Sequence, residues 1–311
     1  MRLTTPEAPI DLLAVLPELA DLRATTIRLH PRKGRVPGRY ASKMGGTFLW
    51  PSEEPWPTCD EAWPPSWTPA MVDGVPIPEG DPRAAPFPLV PVLQLRADDF
   101  PEMPFPPWAD LFQLLWCPLG HNYAFMPKPF VFWRNSGEVR RPRRRMPEPD
   151  LVSIEMEPGF LPEPRTIHPE RIVEFPPMAM WPKDSAEEMY RRLEVACQKA
   201  GFRTEHDETR CIYNAYLSVC PANKVGGYVY WVQFEGTPTC ECGRRMEHLL
   251  TFSDSEIPRL GQPEAEERRW MPRRDWGRVD SRERTGVGFL SGMLYVFICR
   301  TCPDWPIRAV S

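Results

Sequence analysis

Apolar residues along this chain fall in short, dense runs separated by polar and proline-rich stretches, and few recur at helical spacing. Runs rich in β-branched and aromatic residues, bounded by turn formers, read as strands. Strands are therefore predicted at Thr25 to Leu29, Thr47 to Trp50, Leu89 to Leu95, Leu111 to Cys117, Phe130 to Trp133, Leu151 to Ile154, Tyr228 to Phe234, Met246 to Phe252 and Gly292 to Cys299. One segment has the other period. The sequence SAEEMYRRLEVACQKAG places Met189, Leu193, Cys197 and Ala200 on one face, spaces Ser185 and Glu188 as a capping box and stops at Gly201, which predicts a helix over 185–200. A weaker helix is expected within Pro9 to Leu22, broken or kinked at Pro17.

The pattern occurs twice. ASKMGGTFLWPSEEPWPTC (Ala41 to Cys59) aligns without a gap to ANKVGGYVYWVQFEGTPTC (Ala222 to Cys240), 181 residues on, with nine identities in nineteen columns. Each copy continues to an apolar segment, Leu89 to Leu95 or Met246 to Phe252, and then to a last strand closing on Cys117 or Cys299. Two copies at so long a period argue for two related lobes, because solenoids stack three or more short repeats. The expected fold is α+β and predominantly β: an N-terminal helical extension over 1–24, a first lobe over 25–150 ending in an Arg/Pro-rich linker, and a second lobe over 151–311 carrying the helix.

Composition sharpens this. Proline accounts for 41 of 311 residues, more than double the usual share of about 5%, which favours short strands, edges and long loops over helices. The net charge of −4 gives no reason to expect a polyanion as main partner. No apolar run reaches membrane-span length, and the N-terminal segment lacks a signal peptide's apolar core, so a cytoplasmic protein is expected. Nine cysteines, an odd number, favour reduced thiols and metal binding over disulfide staples.

The cysteines carry the strongest chemistry. Cys240 and Cys242, two residues apart on what reads as extended backbone with Gly243 behind them, and Cys299 and Cys302, spaced as in a zinc knuckle, make a four-thiolate set. Such a set suits tetrahedral Zn(II) and leaves no open position, which implies a structural metal. Aligning the copies puts Cys59 on Cys240 and Cys117 on Cys299, with His121 close behind, so the first copy offers a candidate second metal set of Cys59, Cys117 and His121, with Asp60 or Glu61 as an oxygen ligand. Its alternative is a degenerate site kept by packing. The Lys-x-Gly-Gly elements point first to tight turns that need positive φ. Lys43 and Lys224, with Trp50 and Trp231, are candidate ligand-binding residues, against a plainer reading in which each lysine stem covers apolar surface and its amine stays in water.

Linked in order, Ser-Lys-x-Gly-Gly (from Ser42), Trp-Pro-x-Cys (from Trp56), Val-Leu-Gln-Leu (from Val92), Leu-Phe-Gln-Leu-Leu-Trp-Cys (from Leu111), Lys-Val-Gly-Gly-Tyr (from Lys224), Cys-x-Cys-Gly (from Cys240) and Leu-Tyr-Val-Phe-Ile-Cys (from Leu294) resemble the YwqG-like family of bacterial proteins. The resemblance covers Thr25 to Pro306. More distantly, the second copy is similar to the programmed cell death protein 2 family. Members of the first have no established enzymatic activity and members of the second are regarded as dedicated chaperones for a ribosomal protein, so the resemblance implies a binding or chaperone-like module with an unidentified protein or peptide partner.

Two arginine-rich stretches are weighed against that. Arg140, Arg141, Arg143, Arg144 and Arg145 crowd a proline-bounded linker, and 268–284 mixes seven arginines with Trp270, Trp276 and three acids. Solvated loops are the expected account, with a nucleic-acid-associated protein as the alternative. Nucleophile-elbow, phosphate-loop, dinucleotide and His-Glu-x-x-His motifs are absent from the sequence, and of the five histidines only His121 has a partner at a useful spacing. A non-catalytic protein is expected, and a metal-dependent enzyme centred on Cys59, Cys117 and His121 is the rival.

Overall fold

The computed structural model describes residues 3–60, 71–72, 75–76, 86–121, 126–147, 158–204, 208–232, 236–254, 269–276, 285–289 and 292–310. Two antiparallel sheets dominate them, and the chain is α+β and predominantly β. The strands of these sheets are β1 (Ala24–Arg28), β2 (Lys43–Met44), β3 (Val90–Arg96), β4 (Leu111–Gly120), β5 (Pro127–Arg134), β6 (Arg165–Thr166), β7 (Glu170–Glu174), β8 (Lys224–Gly226), β9 (Glu247–Ser253), β10 (Met293–Ile298) and β11 (Ile307–Val310). One sheet has the order β6-β2-β3-β4-β5 and the other β7-β1-β8-β9-β10-β11.

Alternation along the central strands explains the layering. In β10, Leu294, Val296 and Ile298 face one cluster while Met293, Tyr295 and Phe297 face another. In β4, Phe112, Leu114 and Trp116 join the same first cluster, and Leu115, Cys117 and Leu119 face away. The shared cluster therefore lies between the sheets, with Trp116 of β4 edge-on to Phe252 of β9 at 5.6 Å. Both faces of each sheet are covered, so these strands read as nearly continuous apolar runs instead of alternating ones. The outer face of the larger sheet is covered by helices, and that of the smaller by the loop carrying Phe48 and Trp50.

The sheets also exchange strands. β1 pairs with β8 through Thr26↔Gly226 to Arg28↔Lys224, and β6 pairs with β2 through Arg165↔Met44 and Thr166↔Lys43. An early segment thus completes the sheet built mostly from the later half of the chain, and a later segment completes the other.

The predicted helix forms as α2 (Ala186–Lys199), burying Met189, Leu193 and Cys197 and stopping at Gly201 with φ +86°. Its capping box does not form: Ser185 is already in the helical region and makes no capping bond, and Glu188 pairs with Arg191. Ala200 is exposed because the face turns outward at the last turn. Near the N-terminus the expected helix splits at Pro17 into α1 (Leu12–Val15), capped by Asp11, and a 3-10 turn over Pro17–Leu22. An unforeseen helix, α3 (Glu208–Ile212), runs into a π-helical turn (Tyr213–Ser218) that buries Tyr213, Ala215, Tyr216 and Leu217. The segments predicted as strands at Thr47 to Trp50 and, where described, at Tyr228 to Phe234 are irregular instead. Leu151 to Ile154 lies outside the described residues. Among the described residues no helix is long and apolar enough to cross a membrane.

Candidate metal centres

One arm of each cysteine cluster, Cys59 in one and Cys240 with Cys242 in the other, follows a Lys-x-Gly-Gly turn along the chain. Gly45, Gly46, Gly226 and Gly227 have φ between +61° and +73°, a region open to glycine and costly to other residues. The turn throws the chain out of the ladder, so the next carbonyl has no strand partner. The lysine supplies the donor: Lys43 Nζ donates to the carbonyls of Thr47 and, at 2.8 Å, Gly38, and Lys224 Nζ donates to the carbonyl of Tyr228 at 2.6 Å. This accounts for the irregular backbone at 47–50 and 228–232, since carbonyls there are already satisfied by side chains.

Both lysines are wholly buried, which corrects the expectation of a solvated amine. Burial, with Arg39 nearby, pushes Lys43 down to about 8. Lys224 is held at 2.6 Å by Glu174, whose carboxylate also accepts from the backbone N–H groups of Cys220 and Tyr228, both at 2.8 Å. Burial pushes the Glu174 carboxyl up, against the pull of Lys224 and those donors. Trp50 is also fully buried, under the Arg134 guanidinium at 3.9 Å, and Trp231 is half-buried against Phe297 at 5.9 Å.

Following these anchors, two hairpin ends of the larger sheet meet. Cys240 and Cys242 lie on a tight turn, with Gly243 N donating to the Cys240 carbonyl at 2.9 Å and Gly243 at φ +82°. This corrects the extended backbone expected there; the turn is what brings both thiols to one side. Cys299 follows the last residue of β10, and Cys302 lies in the connection to β11. The four sulfurs all lie within 4.8 Å of one another and could hold a metal ion. Cys242–Cys299, Cys240–Cys302 and Cys299–Cys302 are 3.6, 3.8 and 3.8 Å apart. A tetrahedron with metal–sulfur bonds of about 2.3 Å has edges of about 3.8 Å, so the cage has the right size before any ion enters. The backbone N–H groups of Cys302 and Thr301 pull the Cys299 thiol down to about 6, while the neighbouring thiols, Cys242 foremost, push Cys302 up.

The smaller sheet brings Cys59, Cys117 and His121 together in the same way, their donor atoms within 4.8 Å of one another. Cys59 ends the short strand Thr58–Cys59, paired with Phe87–Pro88, and lies 3.7 Å from His121 Nε2. Asp60 is not part of this group; its carboxylate accepts from Thr58 Oγ1 at 3.4 Å. Glu61 lies outside the described residues.

The arginine-rich linker is a solvated loop, with Arg140, Arg141, Arg144 and Arg145 exposed, and its backbone is fastened to the body. Arg143 N donates to the Trp50 carbonyl at 2.6 Å, Ser52 N to the Arg141 carbonyl at 2.7 Å, and Arg143 Nη2 to the Glu54 carbonyl at 2.9 Å. In the second stretch, Trp270 is 1% exposed with Arg269 stacked on it at 3.8 Å, which removes that indole from base stacking. Positions 268 and 277–284 lie outside the described residues.

Sequence reasoning missed Glu174, Gln94, Gln113 and Arg134. Gln94 Oε1 accepts from Leu49 N and from Gln113 Nε2, both at 2.9 Å, Gln113 Nε2 donates to the Leu49 carbonyl, also at 2.9 Å, and Arg134 Nε donates to Gln113 Oε1 at 3.0 Å. Tyr295 OH does the equivalent work in the larger sheet, donating to the Tyr230 carbonyl at 2.5 Å. Glutamine inside two otherwise apolar strand motifs was the available signal, because a buried amide must be paired. Comparison with known protein families and with curated proteins finds no match.

Proposed function

We propose that this chain is a non-catalytic, zinc-stabilised protein-binding module with a chaperone-like role, as its resemblance to the YwqG-like family implies, built by duplication of one β-sheet unit. The observation that carries the reading is the closed cage of Cys240, Cys242, Cys299 and Cys302. Four soft thiolates at tetrahedral edge lengths favour Zn(II) and leave no position for a substrate, so the metal's work is to lock two hairpin ends. The duplication is supported by the like order β2-β3-β4-β5 and β8-β9-β10-β11, and by the two lysines that close equivalent glycine turns.

The test uses the purified zinc-loaded chain as bait in extract from its own source, followed by rebinding of any captured protein in pure form. A stoichiometric partner that rebinds, and that is lost after chelation and recovered with zinc, is the expected result. A zinc-loaded, folded chain that retains no partner across several extracts would overturn the reading. The second reading, a metal-dependent enzyme, rests on the three-donor cluster of Cys59, Cys117 and His121 and requires a metal there.

A further inference from the structure

The two cysteine clusters differ in what they leave open. In the larger sheet four thiols complete a cage. In the smaller sheet three donors converge, and among the described residues no fourth joins them. That difference has a local cause. The β4–β5 ladder loses register between Cys117 and Gly120, and past this irregularity His121 N donates to the Met126 carbonyl at 2.9 Å. The shift holds the histidine over the strand end, so an imidazole arrives on the same side as Cys117, and the short strand at Thr58–Cys59 delivers the second thiol.

We propose that Cys59, Cys117 and His121 form a second zinc site that holds Zn(II) through three protein donors and keeps a fourth position for an exchangeable small ligand, water or an anion. For Zn–S of about 2.3 Å and Zn–N of about 2.0–2.1 Å, tetrahedral geometry sets a sulfur–nitrogen separation of about 3.6 Å; Cys59 Sγ and His121 Nε2 are 3.7 Å apart. Two thiolates and one imidazole are also a donor set that zinc uses where it keeps an open position. Cys59 and Cys117 are 2% and 0% exposed and lie among Phe48, Phe87, Leu89 and Leu115, while His121 is half-buried. The thiols are thus fixed in an apolar wall, and the imidazole is the most exposed of the three donors. This proposal stands apart from the protein-binding reading: failure to find a partner leaves it intact, and loss of the second metal leaves the four-cysteine cage intact.

Metal content of the reduced, zinc-reconstituted full chain decides it. The expected result is two zinc ions per chain, falling to one in His121→Ala, which removes little packing, and remaining at two in His121→Cys, which restores a soft donor. Substituting Co(II) tests the open position, since added azide or imidazole should shift the visible bands of wild type and leave those of His121→Ala unchanged. One zinc per chain in wild type overturns the proposal. So does a count of two that His121→Ala does not lower, and so does a spectrum indifferent to azide and imidazole, which would mean a closed site. Circular dichroism confirms that each variant is folded, and Cys59→Ser replaces His121→Ala if that variant is not.

Discussion

Lys43 and Lys224 are equally buried, yet they face different partners, and that difference sets what each is worth. Lys224 neutralises Glu174 inside the sheet, and both side chains are 0% exposed. Replacing one member of such a pair leaves an uncompensated charge, which costs about 3–5 kcal/mol. Lys43 donates to two carbonyls, and removing it leaves acceptors without donors, which costs about 1–3 kcal/mol. Urea unfolding should therefore show Lys224→Met clearly less stable than Lys43→Met. Equal losses would mean that Glu174 is not the reason for the buried ammonium. The glycines beside these lysines are fixed by crowding as well as by φ: a Cβ on Gly227 would collide with the Glu174 carboxylate and Thr26, and one on Gly45 with the Pro162 carbonyl. The Lys-x-Gly-Gly motif was legible as a turn. The direction of its amine was not, because a lysine stem reads the same whether its head is solvated or hydrogen-bonded indoors.

At the scale of elements, the irregularities carry as much information as the ladders. β9 shifts register against β10 between His248 and Leu250. There the His248 ring sits with Nδ1 donating to the Gly226 carbonyl at 3.1 Å and Nε2 accepting from the Thr251 hydroxyl at 2.8 Å. This is a neutral imidazole. Burial pushes its pKa down to about 3 from an ordinary 6.5, and the Lys224 charge adds to the effect. The unfolded chain then binds more protons between those values, so stability falls as pH drops below about 6.5 and keeps falling toward about 3. Thermal melts should show that His248→Gln loses less stability than wild type between pH 7 and pH 5. An unchanged slope would assign the acid sensitivity elsewhere. Long apolar strands were legible because each is covered on both faces. The two- and three-residue strands β2, β6 and β8 were not, since so short a segment has no period to read.

For the whole molecule, the exchange of strands and a shared core tie the two sheets together. β1 is hydrogen-bonded into the larger sheet and β6 into the smaller, and one core between the sheets joins Ile27, Met44, Trp116, Phe252 and Ile298. Cutting the chain at the linker would strip each sheet of a strand and expose that shared core to water. Residues 1–150 and 151–311 expressed separately should each lack a cooperative thermal transition, whereas the full chain should show one. A sharp melt for either half alone would mean that the sheets fold independently.

What the sequence determined by itself is local: predominantly β character, the helix over 185–200, the glycine turns, and a cysteine spacing suited to a metal. These follow from period, backbone freedom and ligand chemistry, each readable within a few residues. Tertiary structure decided which strands share a sheet, that both lysines turn inward, and that Cys59, Cys117 and His121 stand within bonding reach of one ion. Those outcomes depend on contacts between segments far apart in the chain, where burial leaves each polar group a single available partner.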